Sequence, residues 1–66
     1  MVIYKIVVSE EVGGESEIYP RIYFDIKKAK EFAREIRDKA GWDVHIYREI
    51  PDEENGFFQT TNQIEF

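Results

Sequence analysis

The chain has 66 residues, with 14 acidic and 9 basic side chains and a net charge of −5, enough for one small domain spanning 1–66. A chain this short buries only about 60% of its unfolded surface. With no cysteine, neither disulfides nor thiolate-bound metal can brace it. The acidic balance argues against a general affinity for nucleic-acid phosphates.

Met1 to Val8 (MVIYKIVV) is too short and too alternating for a membrane span or signal peptide and reads as a strand. Lys5 marks the odd positions as the wetter side, so Val2, Tyr4, Ile6 and Val8 are expected to face the core. Ile3 and Val7 make the other side apolar too, as in a central strand. Ser9 to Ser16 (SEEVGGES) is an acidic loop around the turn dipeptide Gly13-Gly14.

Glu17 to Phe24 (EIYPRIYF) reads as a second strand. The expectation is that Ile18, Ile22 and Phe24 point inward and Tyr19, Arg21 and Tyr23 outward. Pro20 cannot donate to a ladder, which puts this strand at an edge or breaks it.

Asp25 to Gly41 has a nearly complete helix signature. Asp25 suits the N-cap and Gly41 the left-handed position after the last turn. Ile26, Ala29, Phe32, Ala33, Ile36 and Ala40 fall on one stripe about 120° wide, the width a helix buries on a sheet. Beside it runs a basic row, Lys27, Lys30, Arg34 and Arg37. Lys27/Glu31, Arg34/Asp38 and Glu35/Lys39 have i,i+4 spacing and are expected to pair. From Ile26 to Ala40 six basic residues face three acidic ones, a balance of +3, while the remainder of the chain carries −8.

Trp42 to Ile50 (WDVHIYREI) is a third strand, with Trp42, Val44, Ile46 and Ile50 inward and Asp43, His45, Tyr47 and Glu49 outward; Pro51 is expected to end it. Asn55-Gly56 is a hairpin signal. Phe57 to Phe66 is then a fourth strand, with Phe58, Ile64 and Phe66 inward and a polar middle, Gln59 to Gln63, suited to an edge strand that is bulged or frayed at the terminus. The fold class expected is α+β: β-β-α-β-β, a four-stranded antiparallel sheet in order 2-1-3-4 with one helix packed on one face. The other face would be open.

No catalytic constellation is visible. His45 is the only histidine and there is no cysteine, so a nucleophile–base pair and a spaced His or Cys metal site are both missing. The acidic turns lack the spacing of a calcium loop, and Gly13-Gly14 lacks the rest of a phosphate loop. No catalytic residue, metal or cofactor is therefore assigned. The strand-helix-strand pattern holds no motif specific enough to import a function.

The expectation is a cytoplasmic, non-catalytic protein-binding module, an inhibitor or adaptor. Its contact residues would be Tyr19, Tyr23, His45 and Tyr47 on the open face. The acidic loops are the second element, with Glu10, Glu11, Glu15, Asp52, Glu53 and Glu54 mimicking nucleic-acid phosphates. A homodimer through the open face or the fourth strand is the expected assembly, and no membrane contact is expected. The alternatives are nucleic-acid binding through Lys27, Lys30, Arg34 and Arg37, and a structural or designed scaffold without a ligand.

Overall fold

The structure, a computed structural model, describes all residues from Met1 to Phe66. The strands are β1 (Ile3–Ser9), β2 (Glu17–Tyr23), β3 (Asp43–Asp52) and β4 (Phe57–Ile64), and the one helix is α1 (Ile26–Ala40). They form one antiparallel sheet in the order β2-β1-β3-β4, with α1 on one face, as the sequence predicts.

The helix ends where its caps dictate. The Asp25 carboxylate accepts from the Lys27 amide at 2.8 Å, and Gly41, at φ 70°, donates its amide to the Arg37 carbonyl at 3.0 Å. A Cβ on Gly41 would meet nothing within 4 Å, so any cost of substitution there is conformational. Gly41→Ala is expected to lower stability by about 1 kcal/mol, read as a thermal midpoint roughly 4–8 °C lower, while Gly41→Asn recovers part of the loss. An unchanged midpoint for the alanine variant would mean that this turn relaxes freely.

Between helix and sheet lies a core of Ile6, Val8, Ala29, Ala33, Val44 and Ile46. Ala29 and Ala33 are small enough for α1 to settle closely on β1 and β3, and both are fully buried. Phe32, Ile36, Trp42, Ile64 and Phe66 close the sides. The guanidinium of Arg37 lies 4.9 Å from the Phe66 ring centre.

Four sequence expectations are corrected. β2 is turned over: Tyr19 and Tyr23 face the helix, with ring centres 4.9 and 5.6 Å from that of Phe32. Ile18 and Ile22, paired with Val7 and Lys5, point away from the helix, and both are exposed, as is Phe24 just past the strand. The two faces of this segment are about equally apolar, so alternation alone does not choose between them. At the sheet edge, where the helix covers incompletely, tyrosine is the better cover because its ring is buried while its hydroxyl reaches water.

In β4, pairing passes from Arg48↔Asn62 to Glu49↔Thr60, so Thr61 is an extra residue. That bulge reverses the alternation and puts Phe58 on the open face, opposite Pro51, instead of in the core. β3 also continues through Pro51 to Asp52. β1 pairs no further than Glu49, so beyond that point β3 has a neighbour on one side only, a setting in which proline is tolerated. Of the three expected helix pairs, only Glu35–Lys39 closes, at 2.8 Å; Arg37 takes Asp38 at 3.4 Å instead. Pro20 does interrupt an edge strand: three β2 residues, Tyr19 to Arg21, span the place of Ile6 alone in β1.

Candidate functional site: the open sheet face

The face opposite the helix is built by the odd positions of β1 and β3, and register sets what joins them. Val7 is paired with Ile18 and with His45, and Lys5 with Ile22 and with Tyr47, so these side chains form two cross-strand rows. Ile18, Ile22 and Phe24 are 64%, 55% and 68% exposed. The strip of the face over β2 is therefore apolar and uncovered, while on β1 Val7 and Lys5 are half-buried and Ile3 is buried. Over β3 and β4 the face is mixed, with His45, Glu49, Thr60 and Gln63 beside Tyr47, Pro51 and Phe58.

At its centre Lys5 Nζ lies 2.8 Å from Glu49 Oε2, and Thr60 donates its hydroxyl to the same oxygen at 2.7 Å. The Glu49 side chain is only 9% exposed, against 25% for Lys5. Burial pushes the Glu49 carboxyl up, but the Lys5 and Thr60 hydrogen bonds and the Lys5 charge outweigh it and hold the group below the usual carboxylate range. The sequence signal for this pair was weak: Lys5 and Glu49 lie on adjacent strands but not directly opposite, so only the register Ile3↔Glu49 reveals them as neighbours.

His45 is committed as well. Its Nε2 lies 3.1 Å from Asp43 Oδ2, and Gln63 Nε2 lies 3.0 Å from Nδ1. With Gln63 donating to Nδ1 and Nε2–H donating to Asp43, a neutral imidazole has both nitrogens satisfied. That arrangement leaves no free ring nitrogen to take a proton from a substrate. The Tyr47 ring sits beside it, with centres 6.4 Å apart.

Of the expected contact tyrosines, only Tyr47 lies on this face; Tyr19 and Tyr23 are spent on the helix. Ile18, Ile22 and Phe24 take their place, a substitution that only the correct orientation of β2 could reveal.

The acidic residues divide into two groups. Glu10, Glu11 and Glu15, joined by Glu17, Trp42 and Val8, border an open groove of about 590 Å³ beside the start of β3. Asp52, Glu53 and Glu54 lie in or next to the β3–β4 turn, roughly 30 Å away along β3 at about 3.3 Å per residue. Asn55 donates to Asp52 through its side-chain amide at 2.8 Å and its backbone amide at 3.3 Å, and these bonds hold the Asp52 carboxyl below its usual range. Nowhere do three His, Asp or Glu side chains gather to hold a metal ion.

On the helix, Lys27, Lys30 and Arg34 make no ion pair, while Arg37 is engaged with Asp38 and Phe66. The basic row thus has three uncommitted members. No helix is long and apolar enough to cross a membrane. No family model, curated protein or solved structure matches this chain.

Proposed function

We propose that this chain is a small non-catalytic protein-binding module that works by laying its open sheet face against a partner. The observation that carries the reading is the exposure of Ile18 and Ile22 on one side of β2, in cross-strand rows with Val7 and with Lys5 and Tyr47, and of Phe24 just past the strand. Apolar side chains gathered on one face, rimmed by satisfied polar groups, have the composition of an interface core with its rim. His45 and Tyr47 supply the rim. Phosphate mimicry by all six loop carboxylates is disfavoured, because their two groups sit at opposite ends of the sheet.

A photoreactive residue placed at Ile22 and activated in cells of the native host tests this. It is expected to give discrete cross-linked protein bands, while the same residue at Glu31 on the outer helix face gives none. Equal labelling from both positions, or none from either, would overturn the proposal.

The second reading is nucleic-acid binding through Lys27, Lys30 and Arg34, favoured by their lack of carboxylate partners. Three phosphate contacts would give a salt slope of roughly −2 to −3. A gel shift at low salt with no retarded species removes it.

A further inference from the structure

The β3–β4 turn carries a dipeptide with a covalent chemistry of its own, independent of what covers the open sheet face. We propose that Asn55–Gly56 is a modification site, where the Gly56 amide nitrogen attacks the Asn55 side chain and closes a succinimide ring. Asp52 holds the reaction back while the turn is closed, and conversion releases β4.

The reaction needs only solvent. Base takes the proton from the Gly56 amide, and the nitrogen bonds to Cγ of Asn55. The tetrahedral intermediate expels the side-chain nitrogen as ammonia, with water supplying the proton. Water then opens the ring at either carbonyl, leaving an aspartyl or an isoaspartyl residue. Gly56 suits the attack because it has no side chain to obstruct the approach. The turn requires glycine there for a second reason, its φ of 74°. Asn55 and Gly56 are both exposed, so base and water reach them. Asn62, the only other asparagine, is followed by Gln63, and both are paired within β4.

Contacts in the folded turn oppose the reaction. Gly56 N–H donates to the Asp52 carbonyl at 2.9 Å, so the attacking nitrogen is engaged. The Asn55 side-chain amide donates to one Asp52 carboxylate oxygen at 2.8 Å, and its backbone amide to the other at 3.3 Å. The side chain is thereby tethered, not free to rotate toward the Gly56 nitrogen. These bonds also hold the Asp52 carboxyl below its usual range, so it is ionised at neutral pH. An ionised carboxylate has no proton to give the departing ammonia. Its charge also opposes the negative charge that develops on the Gly56 nitrogen and on the tetrahedral oxygen.

Conversion adds a negative charge to a turn that already carries Asp52, Glu53 and Glu54. The isoaspartyl product also lengthens the main chain by one carbon between Asp52 and Phe57, the residues paired at the end of the hairpin. β4 has no strand neighbour but β3, so a turn that no longer closes in register loosens it.

The test is incubation of the full chain in mildly alkaline buffer, folded and in concentrated guanidinium chloride. Peptide mass spectrometry follows each asparagine by the mass gained when water replaces ammonia. Asn55 is expected to convert at least about tenfold faster in the unfolded chain, because charge-assisted bonds to Asp52 must otherwise break first. Asn62 stays largely intact in both. Asp52→Ala raises the folded rate several-fold and leaves the unfolded rate unchanged, while Asn55→Gln, which would have to close a larger ring, does not convert. Circular dichroism shows whether the alanine variant is folded, and the comparison of the parent's two rates stands without it. The isoaspartyl form, separated by anion exchange, should show faster amide hydrogen exchange in β4, with β1 protected as in the parent. Equal folded and unfolded rates, a folded Asp52→Ala that converts no faster than the parent, or conversion of Asn62 as fast as Asn55 overturns the proposal. Unchanged exchange in β4 overturns the release of that strand.

Discussion

Replacing Ile46 by alanine is expected to leave the chain without a cooperative unfolding transition at 25 °C. Ile6 and Ile46 are the two large side chains with no exposed surface, and they are paired directly across β1 and β3 beneath Ala29 and Ala33. Removing three carbons from such a site costs about 2–5 kcal/mol, since both transfer energy and dispersion contacts are lost. A core of this size supplies only about 3–5 kcal/mol of net stability, so one substitution consumes most of it. Ile46→Val removes a single methylene and should cost about 1 kcal/mol, leaving a measurable melt. Thermal unfolding followed by circular dichroism reads both. A cooperative melt of Ile46→Ala within a few degrees of the parent would show that the helix–sheet core is not what holds the fold.

That core was legible in the sequence because its pattern is redundant. The helix states its stripe over four turns and both its caps are standard, so Ala29, Ala33 and the Asp25 and Gly41 boundaries could be read directly. Strand order followed from two hairpins and one crossover. Other features turned on information that one-dimensional alternation does not contain. β2 offers apolar residues at both parities, and only the position of Phe32 decides that Tyr19 and Tyr23 cover it. The inward parity of β4 reverses at Thr61: the polar middle of FFQTTNQIEF suits a bulged edge strand, but nothing in it fixes where the bulge falls. These two misreadings fall on the same surface, so the open face was foreseen as a face but assigned partly wrong residues.

The Lys5–Glu49 pair makes the strongest pH prediction. With the Glu49 carboxyl held below its ordinary value in the folded chain, its contribution to stability is complete above the ordinary carboxylate pKa. That contribution disappears as pH falls through the lower, folded value. Lys5→Met removes the charge and the strongest hydrogen bond but leaves Glu49 only 9% exposed, with Thr60 as its remaining partner. Burial then dominates, the carboxyl titrates above its ordinary value, and the charged form is penalised at neutral pH by about 1–3 kcal/mol.

The sign of the site's pH dependence therefore reverses. In the parent this site makes the fold more stable as pH rises, whereas in Lys5→Met it makes the fold less stable as pH rises through the Glu49 titration. Urea denaturation from pH 3 to 7, taken as the difference between variant and parent, isolates this from the other carboxylates. The double variant Lys5→Met/Glu49→Leu removes both charges together. It should fall within about 1 kcal/mol of the parent at pH 7, since an apolar pair in place of a buried ion pair is close to neutral. Thr60, being exposed, can bond to water instead. A Lys5→Met curve that runs parallel to the parent across this range would mean that Glu49 is solvated and that the pair contributes nothing to the fold.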